Sequence, residues 1–214
     1  MPRTKMGLAA DVGDYLASHS RQDEILAQVE RETAERADAG MQVTPDEGAL
    51  LTMLARISGA RRALEVGTFT GYSAICIARG LSEDGTLLCL ELTNEFADVA
   101  RANLVKAGLG DKVEIRVGPA DESLKALPEE PAFDFAFLDA DKISYPGYYD
   151  EIVPRLLPGG LLILDNVLLR GRVVDPDDDR TRTMDALNRR ITEDERVDSV
   201  MALVADGLTL VRRR

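Results

Sequence analysis

The chain has 214 residues, 45% of them hydrophobic, with a formal net charge of −12, two cysteines and one histidine; this suffices for a buried core and for one domain spanning residues 1–214. The negative excess would repel a phosphate backbone or an anionic bilayer, which argues against non-specific nucleic-acid or membrane binding. His19 alone cannot supply a histidine metal cage or, lacking partners, a Ser-His-Asp triad, and no stretch approaches the ~18 apolar residues of a membrane span or the pattern of a signal peptide, so a cytoplasmic protein is expected.

Residues 8–59 carry a helical pattern, with Ile25, Leu26 and Val29, then Leu50, Leu51, Leu54 and Ile57, on apolar faces. Thr44 with Glu47 three positions on is a capping-box signal for the helix that follows. Residues 1–59 therefore form a helical cap on an α/β core at 60–214. From Arg62 onward short apolar runs at 63–66, 86–90, 113–117, 133–138 and 161–164 alternate with helical stretches, which predicts β-α units and a parallel sheet. Runs 197–204 and 208–211 flank Ala205-Asp206-Gly207, so a hairpin is expected there, with the last strand antiparallel to the rest. Cys76 and Cys89 lie among apolar neighbours and read as buried hydrophobes. His19 reads as a surface residue, Asp175-Pro-Asp-Asp-Asp179 as a solvated loop leading into a helix near 180–192, and Arg212-Arg213-Arg214 as a solvated chain end.

The first predicted strand runs into Leu64-Glu65-Val-Gly67-Thr-Phe-Thr-Gly71-Tyr-Ser73, a tight glycine turn at a strand-to-helix junction. Such a turn lets a ligand approach the backbone and meet helix-terminal N–H groups. The spacing is not the dinucleotide G-x-G-x-x-G, and no G-K-[ST] follows it. Glu65 would repel a pyrophosphate in a poorly screened crevice but suits a cation. Glu91 closes the second strand about twenty residues on, where nucleoside-binding α/β folds place an acid on the ribose. A nucleoside carrying positive charge is implied, and S-adenosylmethionine fits.

Two further strands end in Leu138-Asp139-Ala-Asp141-Lys142 and in Leu164-Asp165-Asn166. Strand carboxyl ends converge in an open α/β sheet, so Asp139, Asp165 and Asn166 can surround one ion. Two carboxylates and an amide oxygen suit a hard cation, Mg²⁺, Mn²⁺ or Ca²⁺, rather than zinc.

With these residues in place, the chain resembles the cation-dependent class I O-methyltransferases, the group that includes catechol and caffeoyl-CoA O-methyltransferases and small bacterial relatives. The likeness runs from Met41-Gln-Val-Thr-Pro-Asp-Glu-Gly48 through the glycine loop, Gly118-Pro-Ala120, Phe137-Leu-Asp-Ala-Asp-Lys142 and Gly159–Asn166 to Asp206-Gly207-Leu-Thr-Leu210. It implies a Rossmann-like fold, a mostly parallel seven-stranded sheet with an antiparallel last strand, and a homodimer. Carried over by position, it assigns cofactor contacts to Val43, Glu65, Gly67, Thr68, Ser73, Glu91, Ala120, Asp139 and Asp141, metal ligands to Asp139, Asp165 and Asn166, and a general base to Lys142, with Asp139 and Lys142 as the catalytic pair. The chain departs from the family at Leu169-Arg170, where the plant enzymes that act on CoA esters carry Trp and Asn, and at Ala140-Asp141, where the catechol enzymes carry His-Trp.

The expected reaction is methylation of one hydroxyl of an aromatic vicinal diol that ligates the cation, which lowers the hydroxyl pKa and fixes its direction. Lys142 would take the proton, with Asp141 opposing by stabilising the ammonium. Tyr145, Tyr148 and Tyr149 line the substrate mouth or serve helix packing. Rival readings are a cofactor-binding sensor or scaffold without catalysis, a Mg²⁺-dependent phosphotransferase of the haloacid-dehalogenase type, which carries its Asp-x-Asp on the first strand, and a nicotinamide oxidoreductase, which lacks its glycine spacing here.

Overall fold

The structure is a computed structural model and describes residues 10–214; the first two residues of the predicted helical stretch lie outside them. Helices α1 (Ala10–Ser18), α2 (Glu24–Ala34) and α3 (Pro45–Ile57) fill that stretch. Local chemistry sets two of their starts. The Asp23 carboxylate accepts the Leu26 N–H at 3.0 Å, and ahead of Pro45 the Glu47 carboxylate accepts the Thr44 N–H at 3.4 Å. Each bond occupies a backbone donor near a helix start that the helix itself leaves open.

Then follow β1 (Arg62–Val66), α4 (Tyr72–Gly80), β2 (Thr86–Glu91), α5 (Asn94–Lys106), β3 (Val113–Val117), α6 (Ala120–Lys125), β4 (Phe133–Leu138), α7 (Tyr145–Arg155), β5 (Leu156–Leu164), α8 (Asp179–Glu193), β6 (Val197–Ala202) and β7 (Leu208–Arg213). The seven strands form one sheet in the order β3-β2-β1-β4-β5-β7-β6. Strands β1 to β5 are parallel, and β7 enters between β5 and β6, antiparallel to both. The expected antiparallel last strand is present. β5 starts five residues earlier than its apolar run suggested, because Leu156 already pairs with Phe133 across an irregularity in the ladder.

Side chains alternate across the sheet and build two cores. Leu64, Val66, Leu138 and Leu164 pack with Tyr145, Ile152, Met184 and Leu187 of α7 and α8. Cys89, Phe135, Phe137 and Ile163 pack with Leu51, Ala55, Ile75 and Ile77 of α3 and α4. Phe135 and Phe137 are fully buried, so truncating either to Ala would cost roughly 3–5 kcal/mol and loosen the strand that ends at Asp139.

Both cysteines are buried and free, and His19 is exposed. Two expectations change. Arg212 and Arg214 are exposed as expected, but Arg213 of β7 is part-buried, and its Nη1 donates to the Pro154 carbonyl at 2.7 Å. The acidic run is also more than a solvated loop. The Asp178 carboxylate accepts the Thr181 N–H at 2.8 Å and so starts α8, while Arg172 bonds Asp178 at 2.6 Å. Among the described residues no helix is long and apolar enough to cross a membrane.

Candidate active site

Chain connections leave β1 toward β2 on one side, and β4 lies on its other side, so a crevice opens above the carboxyl ends of the strands at this switch point. A cleft of about 980 Å³ occupies it. Val43, Gly67, Thr68, Ser73, Glu91, Ala120, Asp139, Asp141, Lys142 and Asn166 line that cleft. The structure thus brings together ten of the residues singled out in the sequence, drawn from the segment before α3, from the ends of β1, β2, β4 and β5, and from the starts of α4 and α6.

The glycine loop after β1 is held from two sides. Gly67 has φ +90, and a Cβ there would lie 2.7 Å from the carbonyl carbon of Asp139, so the loop and the end of β4 touch backbone to backbone. Asp139 N donates to Val66 O at 2.9 Å, and Gly67 N donates to Leu90 O at 3.0 Å. From β2, one oxygen of the Glu91 carboxylate accepts the Thr68 and Phe69 N–H groups at 3.2 and 2.9 Å. Its other oxygen accepts the Thr93 N–H at 3.1 Å. Glu91 therefore braces the loop as well as facing the cleft.

Glu65 lies deeper than the rest. It is fully buried on the α3/α4 side of β1 and is not part of the cleft lining. Its Oε2 accepts the Cys89 thiol at 3.3 Å, while its Oε1, like the nearby Thr68 hydroxyl, has no hydrogen-bond partner. Burial pushes its pKa up to about 7 and drives the Cys89 thiol well above its ordinary value.

At the ends of β4 and β5, Lys142 Nζ donates to Asp139 Oδ1 at 2.8 Å and to Tyr145 Oη at 2.6 Å. The Tyr145 hydroxyl has the Leu138 and Asp165 carbonyls as acceptors at 2.8 and 3.1 Å. One phenol thus ties the ends of both strands to the lysine. Asp165 is fully buried beneath the cleft floor, and its Oδ1 accepts the Asn166 N–H at 2.5 Å. Asn166 has φ +56, a turn that asparagine tolerates better than most residues, and it lines the cleft while Asp165 stays under it. Of the three expected oxygen donors, Asp139 and Asn166 line the cleft and Asp165 lies under it. Among the described residues no group of three or more His, Cys, Asp or Glu is placed to hold a metal.

Of the three tyrosines of α7, only Tyr148 lines the cleft. Tyr145 sits under Lys142, and Tyr149 bonds Asp194 at 2.9 Å. Several lining residues escaped sequence reasoning. Phe69 and Phe96 meet edge-on at 4.9 Å with the Arg36 guanidinium 5.3 Å from the Phe96 centroid, a contact between distant segments that no local pattern announces. Arg172 and Arg180 also line the cleft, with Leu169 and Arg170. The Lys142-x-x-Tyr145 spacing was the one legible hint of the buried phenol.

Seven strands in this order, with the antiparallel β7 inserted beside β5 and a glycine-loop cleft at the switch point, define a Rossmann-like methyltransferase fold. The chain belongs to the O-methyltransferase family, whose model matches residues 16–214, and is by class a methyl-transferring enzyme. Among its relatives, caffeoyl-CoA O-methyltransferase 2 of Zea mays is 36% identical over 218 residues, covering 95% of this chain and 83% of that protein. Tricin synthase 1 of Oryza sativa subsp. japonica is 38% identical over 188 residues, covering 81% and 75%. Among solved structures, the O-methyltransferase from Bacillus cereus in complex with SAH superposes with a TM-score of 0.85 at 34% identity, covering 95% and 97%. TomG from Streptomyces achromogenes, involved in tomaymycin synthesis and solved with SAM, gives 0.84 at 32% identity, covering 100% and 99%.

Proposed function

We propose that this protein is an S-adenosylmethionine- and divalent-cation-dependent O-methyltransferase that methylates one hydroxyl of a vicinal aromatic diol, catechol-like or caffeoyl-like. The observation that carries the reading is the Asp139–Lys142–Tyr145 cluster beside Asn166, in one cleft with the Glu91-braced glycine loop. The SAH and SAM complexes of two relatives and the caffeoyl-CoA enzymes among the others support it.

Val43, Gly67, Thr68, Ser73, Glu91, Ala120, Asp139 and Asp141 would hold the cofactor, which supplies an activated methyl group. The residues fit it: Glu91 retains about one acceptor site for a hydroxyl donor, and the buried Glu65 Oε1 and Thr68 hydroxyl, neither hydrogen-bonded, suit a polar, positively charged ligand. Glu65 would act from behind the lining, where a bound cation would favour its ionised form. Asp139, Asp165 and Asn166 would hold Mg²⁺, Mn²⁺ or Ca²⁺, which when bound lowers the pKa of a hydroxyl and fixes its direction.

The chain's own chemistry is proton transfer and alignment. Among the described residues Lys142 supplies the only side-chain amine in the cleft lining, so its Nζ, when neutral, is the atom that would accept the acceptor's proton. Asp139 Oδ1 and Tyr145 Oη hold that nitrogen in place; Asp139, rather than Asp141, which accepts the Ile143 N–H, stabilises the ammonium, so Lys142 would have to release a proton to solvent before it could take one from the acceptor. Orientation of this kind is worth up to roughly 7–11 kcal/mol in well-aligned intramolecular reactions. A homodimer in the cytoplasm is part of the same proposal, and sedimentation of the purified protein tests the first half.

The deciding experiment measures methyl transfer from S-adenosylmethionine to catechol, caffeate and caffeoyl-CoA, with Mg²⁺ and with excess EDTA. Methylated product in Mg²⁺ alone is expected. Absence of calorimetric S-adenosylmethionine binding would refute the cofactor assignment, and full turnover in EDTA would refute the cation.

A further inference from the structure

Resting on that reading, we infer that Arg170 and Arg180 form a subsite for an oxyanion carried by the acceptor, a carboxylate or a phosphate, so that the preferred acceptor is an anionic diol rather than a neutral one. Both residues line the same cleft as Lys142 and Asn166. The acids that line it are each already engaged. Asp139 bonds Lys142, Asp141 accepts the Ile143 N–H, Asp206 accepts the Arg170 N–H, Asp121 meets Lys125 and Glu91 holds three backbone donors. Arg172, the third arginine of this end, is paired with Asp177 and Asp178. Among the described residues, the guanidinium groups of Arg170 and Arg180 have no such partner. In a chain with 38 acidic against 26 basic residues, two guanidiniums left unpaired in one cleft stand out.

Their placement is also costly to the fold. Leu169 and Arg170 adopt φ +46 and +58, a conformation that disfavours residues with a Cβ and that recurs where backbone strain serves a site. The loop is held that way from the β6–β7 turn: Val167 N and Leu168 N donate to Gly207 O and Asp206 O at 3.0 and 3.1 Å, and Arg170 N donates to Asp206 Oδ1 at 2.6 Å. Arg180 is the second residue of α8, where the partial positive charge of the helix end disfavours a cation. Neither position suits stability. Both present a planar fork of N–H donors, matched to carboxylate and phosphate oxygens, in the cleft that Lys142 and Asn166 also line.

The test compares 3,4-dihydroxybenzoate with its methyl ester, a pair that keeps the diol and loses the charge. The acid should have kcat/KM about tenfold to a hundredfold above the ester, the range expected for charge-assisted hydrogen bonds, and the advantage should shrink with added salt. In Arg170→Gln and Arg180→Gln the acid-to-ester ratio should fall toward one, with thermal unfolding showing that the variants are folded, and Arg170→Lys should restore part of it. An ester equal to or better than the acid overturns the subsite while leaving the diol reading intact. If neither compound is methylated, the diol reading falls, and the subsite is judged by calorimetric binding of benzoate and of phenyl phosphate to the protein with SAH. Weaker binding in the doubly substituted protein supports the subsite, and the tighter of the two probes identifies the oxyanion; equal binding by wild type and double variant overturns it.

Discussion

Gly67→Ala tests the backbone contact between the glycine loop and the end of β4. At φ +90 an added Cβ strains the chain, by analogy with the roughly 1–2 kcal/mol per residue of left-handed backbone. That Cβ would also press into the Asp139 carbonyl, a backbone group with no rotamer to yield, and overpacking of this kind typically costs about 1–3 kcal/mol. Together the loss of unfolding free energy should be about 2–5 kcal/mol. Gly108→Ala is the control, because Gly108 has φ +69 and nothing within 4 Å of the added carbon, so only the first cost, about 1–2 kcal/mol, applies. Urea unfolding with linear extrapolation measures both, and calorimetry with S-adenosylmethionine reads the site. Gly67→Ala should be the less stable by about 1–3 kcal/mol and should bind cofactor more weakly, whereas Gly108→Ala should bind like wild type. Equal stabilities within about 0.5 kcal/mol, the ordinary scatter of surface substitutions, would refute the steric argument.

Glu65 supplies a pH prediction. Its folded pKa of about 7 lies above the ordinary 4.5, so the folded state holds the proton more tightly and stability is full below about pH 4.5 and declines as pH rises through 7, by about 3 kcal/mol for this group. Glu65→Gln should remove that decline and be more stable relative to wild type at pH 8 than at pH 5 in urea titrations; a pH-independent difference would mean that the carboxyl is not the cause. Glu91→Ala removes the acceptor of three backbone N–H groups and should weaken cofactor binding at least tenfold, about 1.4 kcal/mol, without altering the Mg²⁺ requirement; an unchanged dissociation constant would contradict the assignment. Asp165→Ala should abolish Mg²⁺-dependent turnover yet leave cofactor affinity nearly intact, and equal loss of both would mark the residue as structural. Tyr145→Phe should cost about 1–3 kcal/mol through the buried polar groups it leaves and lower kcat more than it changes the KM for cofactor; unaltered kcat would remove the phenol from the lysine's support.

Much of the sheet was readable because buried parallel strands are continuous apolar runs. Residues 113–117 and 133–138 coincide with β3 and β4, and 197–204 and 208–211 found the hairpin to within two residues at its ends. β5 was cut short because Leu157-Pro-Gly-Gly160 reads as a turn, although the ladder with β4 begins before it. Strand ends converge by topology, so Asp139, Lys142 and Asn166 could be placed from their positions alone. Depth could not. Whether an acid after a strand faces the cleft or lies under it depends on side-chain direction and on neighbours such as Cys89 and Tyr145, which is why Glu65 and Asp165 prove fully buried. Arg213 was misread for a related reason, since a charged run at the edge of a pattern gives no sign that its middle member will find the carbonyls of Pro154 and Leu156 to bond.

The bond from Arg170 N to Asp206 joins residues 36 positions apart, and the same turn accepts Val167 and Leu168. During synthesis, the cofactor loop and its Glu91 brace are translated well before this anchor emerges from the ribosome. The Leu169-Arg170 side of the cleft can therefore be completed only after β7 has been made and has inserted between β5 and β6.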